Sequence, residues 1–485
     1  MTAPLLIGID LGTTKIVALA VESAHGQVVA QAARDNRARY TAAGASAPGR
    51  SEWDADGIVH TGVECLADVA RQLGAASRDV RGIGVTGQQH GMLLVNAAGR
   101  SASPLINWQD RRGLEPMPGD GRNWVEVAQD RIGRDAVQRL GCRLQPGFLA
   151  VTLFWLQRSG GVPAGSRACF LMDYFAAQLT GAPIHTDPTC AASAGILNVR
   201  QRDWDAEALA GLGLSRDVLP HLAEADQAMG CLRPDVASDL GFAPDTCVFV
   251  PIGDHQASFV GSVADAENLA LLNVGTGAQV AVFTSDEDFR PPVELRPYPL
   301  RGNLLSHVGL SGGWSYQILE QFLEDVGQRV FGIGSTAGQL YAAMNRLAAE
   351  VPAGSDGLLC QPCFAGTRAN AAARGTIRGL SPQNFTVAHL ARATLEGMAN
   401  DYREAYQQLS TMCGRRHAQM AVAGNGLRAN DVLAQIVVET VGIPLAVTRH
   451  QEAAAFGAAL VASVGTGIHQ NLAKAGQWVR YADQP

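Results

Sequence analysis

Asp10 ends the short apolar stretch Leu5-Leu-Ile-Gly-Ile9 and leads into Leu11-Gly-Thr-Thr14. A Gly-Thr turn offers backbone N–H groups and hydroxyls to phosphate oxygens. A carboxylate beside it can hold Mg2+ directly or through water. Gly12, Thr13 and Thr14 are therefore candidate phosphate contacts, and Asp10 is the candidate metal ligand. A plain turn role for Asp10 is the alternative. The pattern of acid or amide, apolar residue, Gly, Thr and small residue returns at Asn273-Val-Gly-Thr-Gly277. That adds Gly275, Thr276 and Gly277 as phosphate contacts, and two such turns in one chain read as an internal duplication.

Gln88-Gln-His-Gly91 and Asn107-Trp-Gln-Asp110 bring amide, imidazole, indole and carboxylate groups together. A polyol is bound by such groups, through paired hydrogen bonds to hydroxyls and one apolar stacking face. Gln88, Gln89, His90, Trp108 and Asp110 are the candidate polyol contacts, with a structural role the alternative for His90. Gly253-Asp-His-Gln256 follows the apolar run Val248-Phe-Val-Pro-Ile252 and reads as a loop. A carboxylate there, Asp254, can take a proton from an attacking hydroxyl, and His255 is the alternative base on spacing alone. Ala423-Gly-Asn-Gly426 is a tight turn into a helix, so Gly424 and Asn425 allow close approach of backbone to a flat ligand or a phosphate.

Gly82-Ile-Gly-Val-Thr-Gly87 has the spacing of a dinucleotide fingerprint, which must open a helix. Here a second strand-like run, Met92-Leu-Leu-Val95, follows instead, so nicotinamide or flavin binding is not the reading. No GxxxxGK[ST] P-loop occurs. Cys360-Gln-Pro-Cys363 lacks the second ligand pair that structural zinc requires.

These residues need strands to hold them and helices to cover the strands. Residues 5–9 and 16–21 read as a hairpin, as do 270–272 and 279–283 around the second turn. Ile58, Val59, Val63, Leu66, Val69 and Leu73 step at helical spacing behind Asp54 as N-cap. Val387, Ala391, Leu395, Met398, Tyr402, Tyr406 and Leu409 make the strongest helical stripe, with Thr386 placed to cap it. Residues 431–441 and 452–463 also read as helices. Alternating strands and helices indicate α/β layers, with a boundary near residue 250.

In this order the motifs resemble the FGGY family of carbohydrate kinases over nearly the whole chain. Gly8-Ile-Asp-Leu-Gly-Thr-Thr14 and Asn273-Val-Gly-Thr-Gly277 look like its two phosphate motifs, and Thr86-Gly-Gln-Gln-His-Gly91 and Asn107-Trp-Gln-Asp110 like its sugar loops. Gly253-Asp254 looks like its base loop and Ala423-Gly-Asn-Gly426 like its adenosine motif. Phe364-Ala-Gly-Thr-Arg368 is similar to a Gly-Glu-Arg segment, and Glu452-Ala-Ala-Ala-Phe-Gly-Ala458 to the C-terminal helix motif. Trp108-Gln-Asp110, Thr152-Leu-Phe-Trp155 and Asn430-Asp-Val-Leu433 are most like the sedoheptulokinases, although xylulokinases share the frame. Val17, Thr367 and Asn425 depart from the family pattern.

The resemblance implies two actin-like ATPase (ribonuclease H-like) domains around a central cleft. Residues 1–250 would be mainly sugar-binding and 251–485 mainly nucleotide-binding. It implies ATP and Mg2+, Asn430 as a further nucleotide contact, and transfer of phosphate to a terminal hydroxyl of a ketose, sedoheptulose first and xylulose second. It leaves room for a homodimer. A nucleotide-binding sensor on the same fold is the rival from another class.

Composition agrees with this. The 485 residues are 47% hydrophobic and 17% charged, an ordinary globular balance long enough for two to three domains. A net charge of −7 argues against a bare nucleic acid or an anionic membrane as partner. No apolar run is long enough to span a membrane, and the N-terminus lacks the pattern of a signal peptide. Nine scattered cysteines fit a reducing cytoplasm.

Overall fold

The computed structural model describes residues 3–39, 49–334, 338–364, 366–368, 370 and 372–482. Two mixed sheets organise the chain, each centred on one of the two Gly-Thr turns. In the first sheet, β1 (Leu5–Leu11) turns back antiparallel into β2 (Lys15–Glu22), and β2 pairs antiparallel with β3 (Val28–Asp35). On its other side β1 runs parallel to β4 (Val80–Gly87). The edge is completed by β5 (Ala228–Cys231) and β6 (Cys247–Phe249), in the order β5-β6-β4-β1-β2-β3, and β7 (Ile252–Gly253) pairs with the end of β4.

The second sheet contains β8 (Leu269–Val274), β9 (Ala278–Thr284), β10 (Glu294–Pro297), β11 (Asn303–Leu310), β12 (Gln419–Ala423) and β13 (Leu445–Val447). Its order is β10-β11-β9-β8-β12-β13. Here β8 pairs antiparallel with β9 and parallel with β12, and β9 pairs antiparallel with β11. The run β11-β9-β8-β12-β13 thus repeats β3-β2-β1-β4-β6 in pairing and direction. The matched turns sit at the same place in each repeat.

The helices follow the apolar spacing. They include α1 (Ala55–Leu73), α2 (Asp254–Ser262), α3 (Gly313–Val326), α4 (Val387–Met412), α5 (Asp431–Val441) and α6 (Ala453–Gly465). Thr386 caps α4 by accepting the His389 N–H, whereas Asp54 precedes α1 without a side-chain cap bond. One reading is corrected. Asp254 is the first residue of α2 rather than part of a loop, because Gly253 in extended conformation already forms the N-cap. The motif at 82–87 lies wholly inside β4.

Those strand glycines have a packing reason. A Cβ on Gly84 would lie 1.9 Å from the carbonyl oxygen of Ala458, and one on Gly8 would lie 1.8 Å from that of Ala455. Glycine lets α6 rest its backbone on β1 and β4. The same device brings α6 onto α2, where a Cβ on Gly457 would meet the Ala257 oxygen at 1.9 Å. A buried apolar cluster that includes Leu6, Phe249, Phe259, Leu271, Ala421, Phe456 and Leu460 joins the two sheets through these helices. Gly84→Ala should therefore destabilise the protein by about 1–3 kcal/mol, the usual cost of overpacking. A melting temperature unchanged from the parent would show that α6 can move away freely. Among the described residues no helix is long and apolar enough to cross a membrane.

Candidate active site

A cleft of about 440 Å³ opens where the two repeats face each other. Asp10, Gln89, His90 and Trp108 line it from one side, and Asn273, Gly275, Gly277, Gln279 and Arg368 from the other. Asp254 and His255, at the start of α2, sit in the same lining.

Asp10 is the penultimate residue of β1 and pairs in register with Thr86 and Val17. Its buried Oδ1 has no hydrogen-bond partner. Burial, then the nearby charges of Asp254 and Glu452, push its pKa up to about 7, against the opposing pull of Lys15. Lys15 is itself paired to Glu452 at 2.7 Å, which ties the first hairpin to the start of α6. An orphaned carboxylate oxygen among repelling acids fits a divalent cation. Mg2+ is commonly held by one or two carboxylates plus substrate phosphates rather than by a full protein cage. Among the described residues no group of three His, Cys, Asp or Glu side chains forms such a cage.

Asp254 is half-buried, and one carboxylate oxygen accepts the His255 N–H at 2.7 Å. Burial raises its pKa to about 6, against the lowering effect of backbone N–H groups at the helix start. That value suits a base working near neutral pH. His255 is a weaker candidate. Its Nε2 is engaged with the Ser306 hydroxyl at 2.8 Å, and burial drives its pKa down to about 4.

The wall with Gln89 and His90 is built from the loop after β4. Gln89 donates to the Thr189 carbonyl at 3.0 Å, and the Thr189 hydroxyl accepts the Gly253 N–H at 3.0 Å. This links the loop to the residue before Asp254. His90 has a positive φ of 75° and stacks on Phe148 at 4.3 Å. Its Nδ1 lies 2.9 Å from the Ser193 carbonyl, so Nδ1 carries the proton and Nε2 is left as an acceptor. Burial first, then Arg296 and Arg368, push its pKa down to about 3, so the ring is neutral. Trp108, 42% exposed, donates its indole N–H to the Thr13 hydroxyl at 3.1 Å. Thr13 in turn donates to Gln88 at 3.2 Å, which joins the loop after β4 to the first Gly-Thr turn.

Several of the expected site residues do not line this cleft themselves. Asp110 is fully buried and does not line the cleft; its carboxylate accepts from the Ser51 N–H at 2.8 Å and from Arg112 at 2.8 Å. Gln88 is buried behind Thr13 and Asn107, which approach its Oε1 at 3.2 and 3.3 Å. Asn430 caps α5 through the Leu433 N–H at 2.9 Å and donates to Tyr341 and Asn345. Gly424, with φ 75°, lets its turn touch the end of β8, where a Cβ would lie 2.4 Å from the Val274 oxygen. Asn425 is exposed, and Gly12 and Thr14 flank the first turn outside the cleft lining.

At the second turn Gly275, Thr276 and Gly277 are exposed, and a Cβ on Gly275 or Gly277 would meet nothing nearer than 3.8 Å. The carbonyls of Gly275 and Thr276 accept the Gly313 and Trp314 N–H groups at 2.9 and 3.1 Å, so the first turn of α3 buttresses this loop. A Cβ on the facing Gly312 would lie 2.4 Å from Gly277, which leaves only glycine room to do so.

Glu294, Arg296 and Arg368 also line the cleft. Glu294 and Arg296 were not singled out from sequence. Their signal was an alternation of two charges on one face of a short strand, Glu294-Leu-Arg296, whose buried charges pair with each other at 2.7 Å.

Models of the FGGY family of carbohydrate kinases match the chain twice, with the N-terminal domain over residues 5–261 and the C-terminal domain over 270–466. The chain belongs to this family. It is a phosphotransferase with an alcohol group as acceptor, an ATP-dependent carbohydrate kinase of two α/β domains. A glycerol kinase from Bordetella pertussis is 30% identical over 98% of this chain and 91% of its own length. A xylulose kinase from Bacillus subtilis is 24% identical over 98% of this chain and 91% of its own length. The crystal structure of xylulose kinase from Rhodospirillum rubrum superposes with a TM-score of 0.85 at 24% identity, covering 99% of this chain and 93% of that one.

Proposed function

We propose that the protein phosphorylates a terminal hydroxyl of a ketose, sedoheptulose first and xylulose second, with Asp254 as general base. The observation that carries this is the half-buried Asp254 carboxylate opening into the same cleft as Asp10, His90 and the second Gly-Thr turn. The resemblance of Trp108-Gln-Asp110 and Asn430-Asp-Val-Leu433 to sedoheptulokinases supports the ketose, and the relatives named for xylulose and glycerol set the competing acceptors.

In this reading His90 Nε2 accepts a hydrogen bond from an acceptor hydroxyl, and the Trp108 ring gives the apolar stacking face. Gln89, through Thr189 and the Gly253 N–H, supports the start of the helix that carries Asp254. Asp254 orients the attacking hydroxyl and takes its proton as the new O–P bond forms and the bond to ADP breaks. Asp10 would hold Mg2+, which supplies charge neutralisation at the transferring phosphate. The Gly275 N–H donates to the Gly277 carbonyl at 2.9 Å and closes the turn, so the exposed N–H groups of Thr276 and Gly277 would face the phosphates.

Release of ADP measured across glycerol, pentulose, hexulose and heptulose acceptors tests the reading. Turnover stimulated most by the heptulose is expected. A basal rate that no polyol raises would favour a nucleotide sensor. His90→Ala should raise the KM for the acceptor several-fold, up to about tenfold, as loss of one hydrogen bond to a neutral hydroxyl does. If the KM for ATP rises instead, His90 does not touch the acceptor.

A further inference from the structure

The cleft has two electrostatic poles. At one, the Asp10 and Asp254 carboxylates act on each other. At the other, the charges of Arg296, Arg368 and Glu294 act on His90. Glu294 organises this second pole. Its Oε2 accepts from Arg296 at 2.7 Å and its Oε1 from Arg368 Nη1 at 3.2 Å. Arg296 is 6% exposed and spends its other arm on the Ala192 carbonyl at 2.9 Å, so it is a fixed support.

Arg368 is different. Its side chain is 29% exposed and it lines the cleft. Gly309, with φ 75°, makes room for it, since a Cβ there would lie 2.9 Å from Arg368 Cγ. The pair Glu294–Arg368 is also shared with a second cavity of about 680 Å³, bounded by Arg134, Gln145 and Pro292. The pair is therefore a partition, and the cleft that contains Asp254 ends against it.

We propose that Arg368 is a specificity-determining residue that reads the end of the acceptor chain farthest from the hydroxyl being phosphorylated. Its guanidinium is aimed by Glu294 at the partition, and the planar fork can donate to two adjacent oxygens at once. On this proposal a short acceptor held at Asp254 and His90 leaves Arg368 unused, whereas a longer sugar reaches it and gains charge-assisted hydrogen bonds. The inference rests on the kinase reading and adds a chain-length rule to it.

The test compares parent, Arg368→Ala and Arg368→Lys on glycerol, a pentulose and a heptulose. It reads kcat/KM for each acceptor, and calorimetric binding of the same acceptors without nucleotide. Loss of Arg368 leaves Glu294 paired with Arg296, so no buried charge is orphaned. Arg368→Ala should lower kcat/KM for the heptulose about tenfold to a hundredfold, mainly through KM, while glycerol changes less than about twofold. Arg368→Lys should recover part of the loss. A uniform loss over all three acceptors would make Arg368 structural and overturn the proposal. A gain for the heptulose would make the partition a barrier rather than a reader, which also overturns it. If the parent phosphorylates no polyol, the kinase reading fails, and the calorimetric ratio of heptulose to glycerol still decides the role of Arg368.

Discussion

Asp254→Asn should lower kcat by about 10²–10⁴-fold, the usual scale of a general base. The amide keeps the size of the side chain and one acceptor oxygen, so the His255 N–H at 2.7 Å stays satisfied and α2 keeps its start. What is lost is the ability to take a proton. Acceptor and ATP binding should change little. The pH profile sharpens the test. The Asp254 carboxyl is protonated below about 6, because burial disfavours its charged form. The protonated acid cannot accept the hydroxyl proton, so at saturating Mg2+, which keeps Asp10 ionised, kcat/KM for the acceptor should rise with pH up to about 6 and level off above it, falling about tenfold per unit on the acid side. The Asn variant should lose this limb along with the rate. His255→Gln, the control, should retain most activity and the limb. Near-normal turnover in Asp254→Asn with a dead His255→Gln would move the base to His255.

Asp10→Asn should reduce nucleotide-dependent turnover by about 10²–10³-fold, the loss typical when a group stabilising transferring charge is removed. The variant replaces a buried oxygen without a partner by a neutral amide. It also relieves the repulsion that Asp254 and Glu452 exert at this position, so the fold should not suffer. The loss should appear as a higher requirement for Mg2+ and a lower kcat, with acceptor affinity by calorimetry close to that of the parent. An equal loss of acceptor affinity would place Asp10 on the sugar instead of the phosphates.

Local chemistry is legible in the sequence where the signal is local. The two Gly-Thr turns, the helical stripe from Val387 and the Gly253-Asp-His pair of base candidates each depend on neighbours a few positions away. The repeat was visible as two matching turns because a hairpin with a fixed turn leaves its pattern in consecutive residues. The pairing of β11-β9-β8-β12-β13 extends that repeat to whole sheets, which no local pattern could do.

Other residues took their places from contacts distant in sequence. Asp110 stands in a polar-looking motif, yet Arg112 and the Ser51 backbone claim its carboxylate, since a buried charge must be paired. Asn430 likewise serves a helix end whose N–H groups need an acceptor. Gly84 looks like part of a nucleotide fingerprint, but its reason is a helix carbonyl contributed by Ala458, far along the chain. Glu294 and Arg368 meet across 74 positions, and only the tertiary structure brings them to the cleft that holds Asp254. The sequence by itself determined the family, through the order of its motifs along the chain, and the two matching Gly-Thr turns, because each of those motifs rests on short-range spacing. The tertiary structure decided which polar groups face the cleft and which are consumed in holding it together, because that depends on which distant charges and backbone groups reach them first.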